Sequence, residues 1–156
     1  MENKPYLLVS RCLLGELCRY DGKSVPVPAV MALKQYATLI DICPESDGGM
    51  PTPRTPSERQ GERVINRAGE DTTAFFVKGA ELACLLAKEK QIPFAILKEK
   101  SPSCGTTLIY DGSFTGKKIP GEGIAAEQLR KMGVKVYSEE DIETAFPADL
   151  KAYLGI

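Results

Sequence analysis

Short apolar runs along this chain alternate with stretches whose apolar residues recur every three or four positions. The runs without a helical period predict buried strands at Tyr6–Ser10, Thr38–Cys43, Phe94–Leu97 and Val134–Tyr137. The periodic stretches predict helices from about Pro28 to Tyr36, from Asp71 or Thr72 to about Lys90, from Gly123 to Met132, and after the cap residue Ser138. Because strands that alternate with helices are typical of βαβ units, we predict an α/β fold, a Rossmann-like three-layer domain with a mostly parallel sheet that spans residues 1–156.

The segment from Pro44 to about Arg67 interrupts this alternation. It is rich in Pro, Gly, Ser and Arg, and no regular element is predicted for it. Long ordered loops in compact domains are often functional. Arg59, Arg63 and Arg67 recur every four residues here, interleaved with glutamates, which favours a solvated, ion-paired face over an anion site.

The composition limits the classes of protein that need to be considered. Hydrophobic residues make up 43% of the chain and charged residues 26%, which is enough for a core without disulfide bonds. The net charge of −1 gives no overall attraction to nucleic acid, so no long nucleic acid is expected as a partner. No apolar run approaches the roughly 20 residues of a membrane helix, and the first residues lack a signal-peptide pattern. We therefore expect a cytoplasmic protein without membrane contact, whose cysteines are thiols.

Three cysteines follow the ends of predicted strands. Cys12 comes just after the first strand, Cys43 ends the second, and Cys104 lies a few residues past the third. Ligands of parallel α/β sheets bind beyond the carboxyl ends of the strands, so we expect these thiols at one edge of the sheet. Cys84 lies on the apolar face of the long helix and is interpreted as a core residue, whereas Cys18, in a polar loop, is either a bystander or a neighbour of the site.

Converging thiolates favour a metal centre, and the absence of histidine from the sequence excludes both histidine ligands and Cys-His catalysis. Zinc sites use cysteines spaced two to four residues apart; no such pair is present, which disfavours zinc but leaves it open with Cys18 as a fourth ligand. An iron–sulfur cluster on three cysteines would leave one iron open, and an open iron is a Lewis acid. The alternatives are a non-catalytic iron–sulfur or zinc-binding module and a thiol enzyme with Cys43 or Cys104 as nucleophile.

Motifs around these cysteines resemble those of the thiouracil desulfidase family. The similar segments run in order over nearly the whole chain: Val9-Ser10-Arg11-Cys12-Leu13-Leu14-Gly15, Arg19-Tyr20-Asp21-Gly22, Cys43-Pro44-Glu45, Gly48-Gly49-Met50-Pro51-Thr52-Pro53-Arg54, Gly69-Glu70-Asp71-Thr72-Thr73, Lys98-Glu99-Lys100-Ser101-Pro102-Ser103-Cys104-Gly105 and Gly121-Glu122-Gly123-Ile124. Single segments are short and carry little weight. The Cys-Pro-Glu and Ser-Pro-Ser-Cys-Gly segments, in this order, make the resemblance specific.

The resemblance implies a [4Fe–4S] cluster held by Cys12, Cys43 and Cys104, with one iron open. It implies a non-redox removal of sulfur from thiouracil or a related thiolated pyrimidine, which yields uracil and sulfide. It also implies catalytic roles for Glu45 and Ser101. The partner is therefore expected to be a small thiolated pyrimidine.

The chemical hypothesis that follows is hydrolytic. Water attacks the carbon of the polarised thiocarbonyl group, and Glu45 accepts its proton. Ser101 donates a hydrogen bond to a ring nitrogen or relays a proton, and Ser103 is assigned to substrate binding. Arg54 is either an interior ion-pair partner or a substrate contact, and Gly121-Glu122-Gly123 is either a tight turn into a helix or an anion cradle.

Overall fold

The computed structural model describes residues 4–156. The first three residues, which belong to the predicted domain and to the segment expected to lack a signal peptide, lie outside the described residues. The strands are β1 (Tyr6–Ser10), β2 (Thr38–Ile42), β3 (Ser57–Gln60), β4 (Arg63–Asn66), β5 (Phe94–Leu97), β6 (Leu108–Tyr110), β7 (Lys118–Pro120) and β8 (Lys135–Ser138). The α-helices are α1 (Pro28–Met31), α2 (Pro44–Asp47), α3 (Thr73–Glu89), α4 (Ile124–Lys131), α5 (Glu139–Thr144) and α6 (Ala148–Leu154).

Four strands form a central sheet in the order β2-β1-β5-β8, and every neighbouring pair is parallel. The remaining strands form two antiparallel pairs, β3 with β4 and β6 with β7. Each of the four predicted strands corresponds to one strand of the central sheet. The predicted α/β fold with a mostly parallel sheet is confirmed.

Helices cover both faces of the sheet. Leu7 and Val9 of β1 pack into one apolar cluster, and Leu8 between them packs into the other, as the two-residue period of a strand requires. The first cluster is completed by α1, the 3₁₀-helix Ala32–Gln35, α5 and α6 through Val30, Leu33, Ile142, Leu150 and Leu154. The second is completed by α3 and α4 through Ala83, Ala87, Ala126 and Leu129. The predicted three-layer arrangement is therefore confirmed.

The segment from Pro44 to about Arg67, predicted to be irregular, contains regular structure. It begins with helix α2 and includes the β3–β4 hairpin, whose turn contains Gly61 at a φ of 63°. The hairpin is largely polar, with Val64 fully buried, so its sequence lacks the apolar alternation that signals a strand. Arg59 in this hairpin forms an ion pair with Glu127, at 2.7 Å from guanidinium nitrogen to carboxylate oxygen.

Two predicted helices differ from the structure in their extent. The helix expected from Pro28 to Tyr36 is α1 followed by a 3₁₀-helix, Ala32–Gln35. The segment after Ser138 is divided into α5 and α6, because Pro147 has no N–H group and its backbone is extended. The start of α5 is as predicted, since the hydroxyl of Ser138 accepts the N–H of Asp141 in a capping box.

The described part of the chain, residues 4–156, contains no helix that is both long and apolar enough to span a membrane.

Candidate active site

A cavity of about 450 Å³ opens beyond the carboxyl ends of β1, β2 and β5. Cys12, Cys43 and Cys104 all line it, together with Glu45, Ser101 and Ser103. The structure thus brings all six residues singled out from the sequence to one place. Cys12 lies in the 3₁₀-helix Arg11–Leu14 directly after β1, and Cys43 lies between β2 and α2. Parallel strands end at the same edge, which explains why residues so far apart in sequence meet.

The thiols form one group around the cavity. Cys12 and Cys104 are buried, and Cys43 is half-buried. Cys18 belongs to the same group, because it lines the cavity and its carbonyl accepts a hydrogen bond from the Cys43 thiol at 3.6 Å. Cys84 packs against the second apolar cluster instead.

The environments of Cys43 and Cys104 oppose the ionisation of their thiols. Burial raises the pKa of the Cys104 thiol to about 12. Hydrogen bonding to Cys18, followed by burial, raises the pKa of Cys43 well above its ordinary range. A thiol enzyme needs the opposite shift, since the thiolate is the nucleophile. The raised pKa values of Cys43 and Cys104 therefore argue against either residue as the nucleophile of a thiol enzyme.

Glu45 is held by two partners, one on each carboxylate oxygen. Its Oε1 accepts a hydrogen bond from Arg54 Nε at 3.1 Å, and its Oε2 accepts one from the Ser103 hydroxyl at 3.0 Å. The Arg54 side chain is only 4% exposed, and its remaining donors reach the carbonyls of Pro51 and Cys18. Of the two roles considered for Arg54, the structure supports the interior ion-pair partner.

Ser101 and Ser103 continue this network. The Ser101 hydroxyl accepts the backbone N–H groups of Ser103 and Cys104, each at 3.1 Å. It lies 2.9 Å from the Ser103 hydroxyl, which in turn donates to Glu45. A continuous hydrogen-bond chain therefore links Ser101 to Glu45.

Close helix packing positions the segment that carries Cys43 and Glu45. This segment forms α2, which packs on α3 at Gly79, where a Cβ atom would overlap the carbonyl group of Pro44. Asp47 closes α2 from the inside, because its carboxylate accepts the N–H of Cys43 at 3.0 Å and pairs with Arg11 at 3.1 Å. The requirement for glycine here is one of backbone contact, which the sequence pattern does not reveal.

The loop that carries Ser101, Ser103 and Cys104 is anchored by a buried carboxylate. Glu99 accepts the N–H groups of Thr106 and Thr107 at 2.8 and 3.0 Å, and both threonine hydroxyls donate to it as well. Burial raises the pKa of Glu99, but these hydrogen bonds outweigh burial and lower its pKa to about 2. Glu99 belongs to one of the sequence motifs, yet its role was not predicted.

The turn at Gly121-Glu122-Gly123 supports the same loop. The first N–H groups of α4 are already used, because Ile124 and Ala125 donate to the carbonyls of Pro102 and Ser103, each at 2.9 Å. A Cβ atom at Gly123 would lie 2.6 Å from the Ser103 carbonyl oxygen. The structure therefore supports the tight-turn interpretation, in which these donors serve the loop and do not face an anion.

Comparisons with known proteins find a family and relatives that are similar to this chain over most of its length. The model of the 2-thiouracil desulfurase family matches residues 7–141 of this chain. The uncharacterized protein YbbK of Bacillus subtilis (strain 168) is 40% identical over 146 residues, which cover 87% of this chain and 97% of that protein. The solved structure of the [4Fe-4S]-dependent thiouracil desulfidase TudS is similar with a TM-score of 0.84 and 46% identity, over 91% of this chain and 94% of that one.

Proposed function

This chain belongs to the 2-thiouracil desulfurase family, and from this membership we propose that it hydrolytically removes the sulfur of thiouracil or a related thiolated pyrimidine. The reaction yields uracil and sulfide without net redox change. The observation that supports the proposal for this chain is that Glu45 lines the same cavity as the thiols, with its carboxylate oriented by Arg54 and Ser103. The cavity, at about 450 Å³, has the size of a small-molecule site.

The donor set fits a [4Fe–4S] cluster, with Cys12, Cys43 and Cys104 as its ligands. Thiolates are the usual ligands of such clusters, and these three come from three different elements around one cavity. Within residues 4–156, no three Cys, Asp or Glu side chains are placed to hold a single metal ion. When bound through three cysteines, the cluster would supply an open, Lewis-acidic iron for the sulfur atom of the substrate.

Glu45 is the general base of the proposed reaction. Arg54 fixes the direction of its carboxylate from the interior, and the carboxylate lines the cavity beside Cys43. A water molecule that donates to Glu45 is thereby placed to attack the thiocarbonyl carbon, and Glu45 takes up the proton that the water loses.

The two serines form a directed proton path. A hydroxyl has one donor and two acceptor positions. Both acceptor positions of Ser101 are used by backbone N–H groups, so its proton points towards Ser103, whose own proton points towards Glu45. Ser103 was assigned to substrate binding; because it is only 2% exposed, we propose that it acts on the substrate through Ser101. When a substrate is bound, the Ser101 proton turns from Ser103 to a ring nitrogen of the substrate, while the two backbone N–H groups hold the hydroxyl oxygen in place.

The test is anaerobic reconstitution with iron and sulfide, followed by an absorption spectrum, an iron determination and an assay of sulfide release from 2-thiouracil. We expect the visible absorption of an iron–sulfur cluster together with sulfide release. Cys43→Ser and Cys104→Ser are expected to lose the cluster, whereas the matched control Cys84→Ser keeps it, since Cys84 packs in the second apolar cluster.

A second pair of variants separates an enzyme from a non-catalytic iron–sulfur module. Glu45→Gln is expected to keep the iron content and to lose about 100-fold or more of the rate, as is common for removal of a general base. Glu89→Gln, at the exposed end of α3, is the control. A wild-type protein that holds its cluster but releases no sulfide from any thiolated pyrimidine would support the module instead.

A further inference from the structure

Three aromatic side chains line the same cavity as the thiols. Tyr20, Tyr110 and Phe114 line it, together with Glu58 and Arg67. Of the three rings, that of Phe114 has no polar group, so it can contribute to binding only through its faces and edges. Phe114 and Glu58 have no part in the proposed reaction, yet the structure devotes several contacts to holding them.

The backbone of Phe114 has an unusual conformation. Its φ is 58°, in the left-handed region, which bulky side chains rarely adopt. Such a conformation persists only where surrounding contacts enforce it, and it is frequent at ligand clamps.

The contacts that enforce this conformation come from Glu58, a buried acid on β3. Its Oε1 accepts the N–H of Gly112 at 3.0 Å and that of Phe114 at 3.1 Å. Gln60 on the same strand donates to the carbonyl of Gly112 at 2.8 Å. The loop that carries the ring is therefore fixed to the β3–β4 hairpin through three backbone atoms, two of Gly112 and one of Phe114.

The ring itself is also oriented. The guanidinium carbon of Arg67 lies 5.6 Å from the centroid of the Phe114 ring, within the range of a cation–π contact. The side chain remains partly exposed and contributes to the cavity wall. A flat apolar surface is thus held in the cavity that the thiols also line.

We propose that Phe114 is the surface against which the pyrimidine ring of the substrate stacks, with Glu58 as the residue that positions it. The inference rests on the proposed function, since it assigns the ring-recognising side of the same site. Stacking on an aromatic face suits any thiolated pyrimidine and leaves the thiocarbonyl group free to point towards the cysteines. It would therefore contribute to substrate binding more than to the chemical step.

The experiment compares wild type, Phe114→Leu and Phe114→Tyr as cluster-loaded proteins with matched iron content. Leucine removes the aromatic face and keeps an apolar side chain, whereas tyrosine keeps the face. For Phe114→Leu we expect KM for 2-thiouracil to rise by about tenfold, with kcat changed less than about twofold, and Phe114→Tyr to remain within about twofold of wild type in both. Tyr6→Leu is the matched control. The Tyr6 ring also contacts a cation, with Lys90 Nζ 5.2 Å from its centroid, but Tyr6 begins β1, whereas the cavity lies beyond the end of that strand.

Calorimetric titration of the Glu45→Gln protein with 2-thiouracil, with and without Phe114→Leu, measures binding without turnover. A parallel weakening of Kd in Phe114→Leu would support stacking even in a protein that does not desulfurate this compound, so the two proposals can fail separately. An unchanged KM and Kd in Phe114→Leu would overturn the inference, as would a loss confined to kcat. Absence of sulfide release from the wild type would count against the proposed function alone.

Discussion

Replacement of Glu99 by Gln tests whether one buried carboxylate holds in place the loop that carries Ser101, Ser103 and Cys104. Glu99 is 4% exposed and accepts hydrogen bonds from the backbone of Thr106, Thr107 and Leu108 and from both threonine hydroxyls. A glutamine amide replaces one acceptor oxygen by an NH₂ group, which would face two hydroxyl groups and cannot accept from either. The substitution therefore removes the charge and about half of the acceptors at constant size.

The size of the effect follows from the pKa. Burial raises the pKa of Glu99, but the hydrogen bonds from Thr106, Thr107 and Leu108 lower it overall, from 4.5 to about 2. At about 1.36 kcal/mol for each pKa unit, the ionised carboxylate stabilises the folded state by about 3 kcal/mol. Because the folded-state pKa is the lower one, this contribution is complete above the unfolded-state value of 4.5 and is lost as the pH falls towards 2.

The assay is urea unfolding followed by far-ultraviolet circular dichroism, at pH 7 and at steps down to pH 3, with the cluster content matched between proteins. At pH 7 we expect Glu99→Gln to lower the free energy of unfolding by about 3 kcal/mol. The difference from wild type should shrink as the pH falls below about 4.5, because Glu99 then takes up a proton in the unfolded state while it stays ionised in the folded state. The control Glu89→Gln, on an exposed residue, should be close to neutral. If the two variants are equally stable at pH 7, Glu99 does not anchor the loop.

Two further substitutions probe the support of the site. Arg54→Lys should lower kcat by about tenfold or more at unchanged iron content. A lysine has no planar guanidinium group, so it cannot bond to both Glu45 and the Cys18 carbonyl as Arg54 does. A wild-type kcat would show that the orientation of Glu45 does not depend on Arg54. Gly79→Ala should lower the free energy of unfolding by about 1–3 kcal/mol and reduce iron binding, because the new Cβ atom would displace α2. The control is Lys78→Ala, at the exposed neighbouring residue. Equal melting temperatures and iron contents in the two variants would contradict this packing argument.

The sequence was sufficient to predict the central sheet and the residues around the cavity. Apolar runs identify buried strands directly, and the ends of parallel strands must meet at one edge, so the sequence alone predicts that Cys12 and Cys43 lie close together, as they do. Cys104 could be placed because it follows β5 closely. Their assignment as cluster ligands remains a prediction, as do the roles of Glu45 and Ser101.

The supporting contacts could not be predicted, because each joins segments that no local pattern connects. Glu58 reaches Phe114 across 56 positions of the chain, and the polar hairpin that carries it has no apolar period. Gly79 and Gly123 are required by a neighbouring backbone, which a single sequence does not display. Cys18 likewise joins the thiol group through a loop whose path depends on the Arg54 contact with its carbonyl.

These contacts share a physical logic. The residues proposed to take part in the reaction stand on short irregular segments just past strand ends, where water and a cofactor can reach them, and such segments have little apolar surface of their own to fix them. Buried charged groups that form hydrogen bonds with backbone atoms fix these segments instead. Glu99 holds the loop that carries Ser101 and Ser103, Glu58 holds the backbone of Phe114, and Arg54 holds the carbonyl of Cys18. Because a buried charge left without partners is costly, each of these groups penalises any displacement of its loop. The rigidity of the site is therefore expected to depend on these groups as strongly as on the residues that face the substrate.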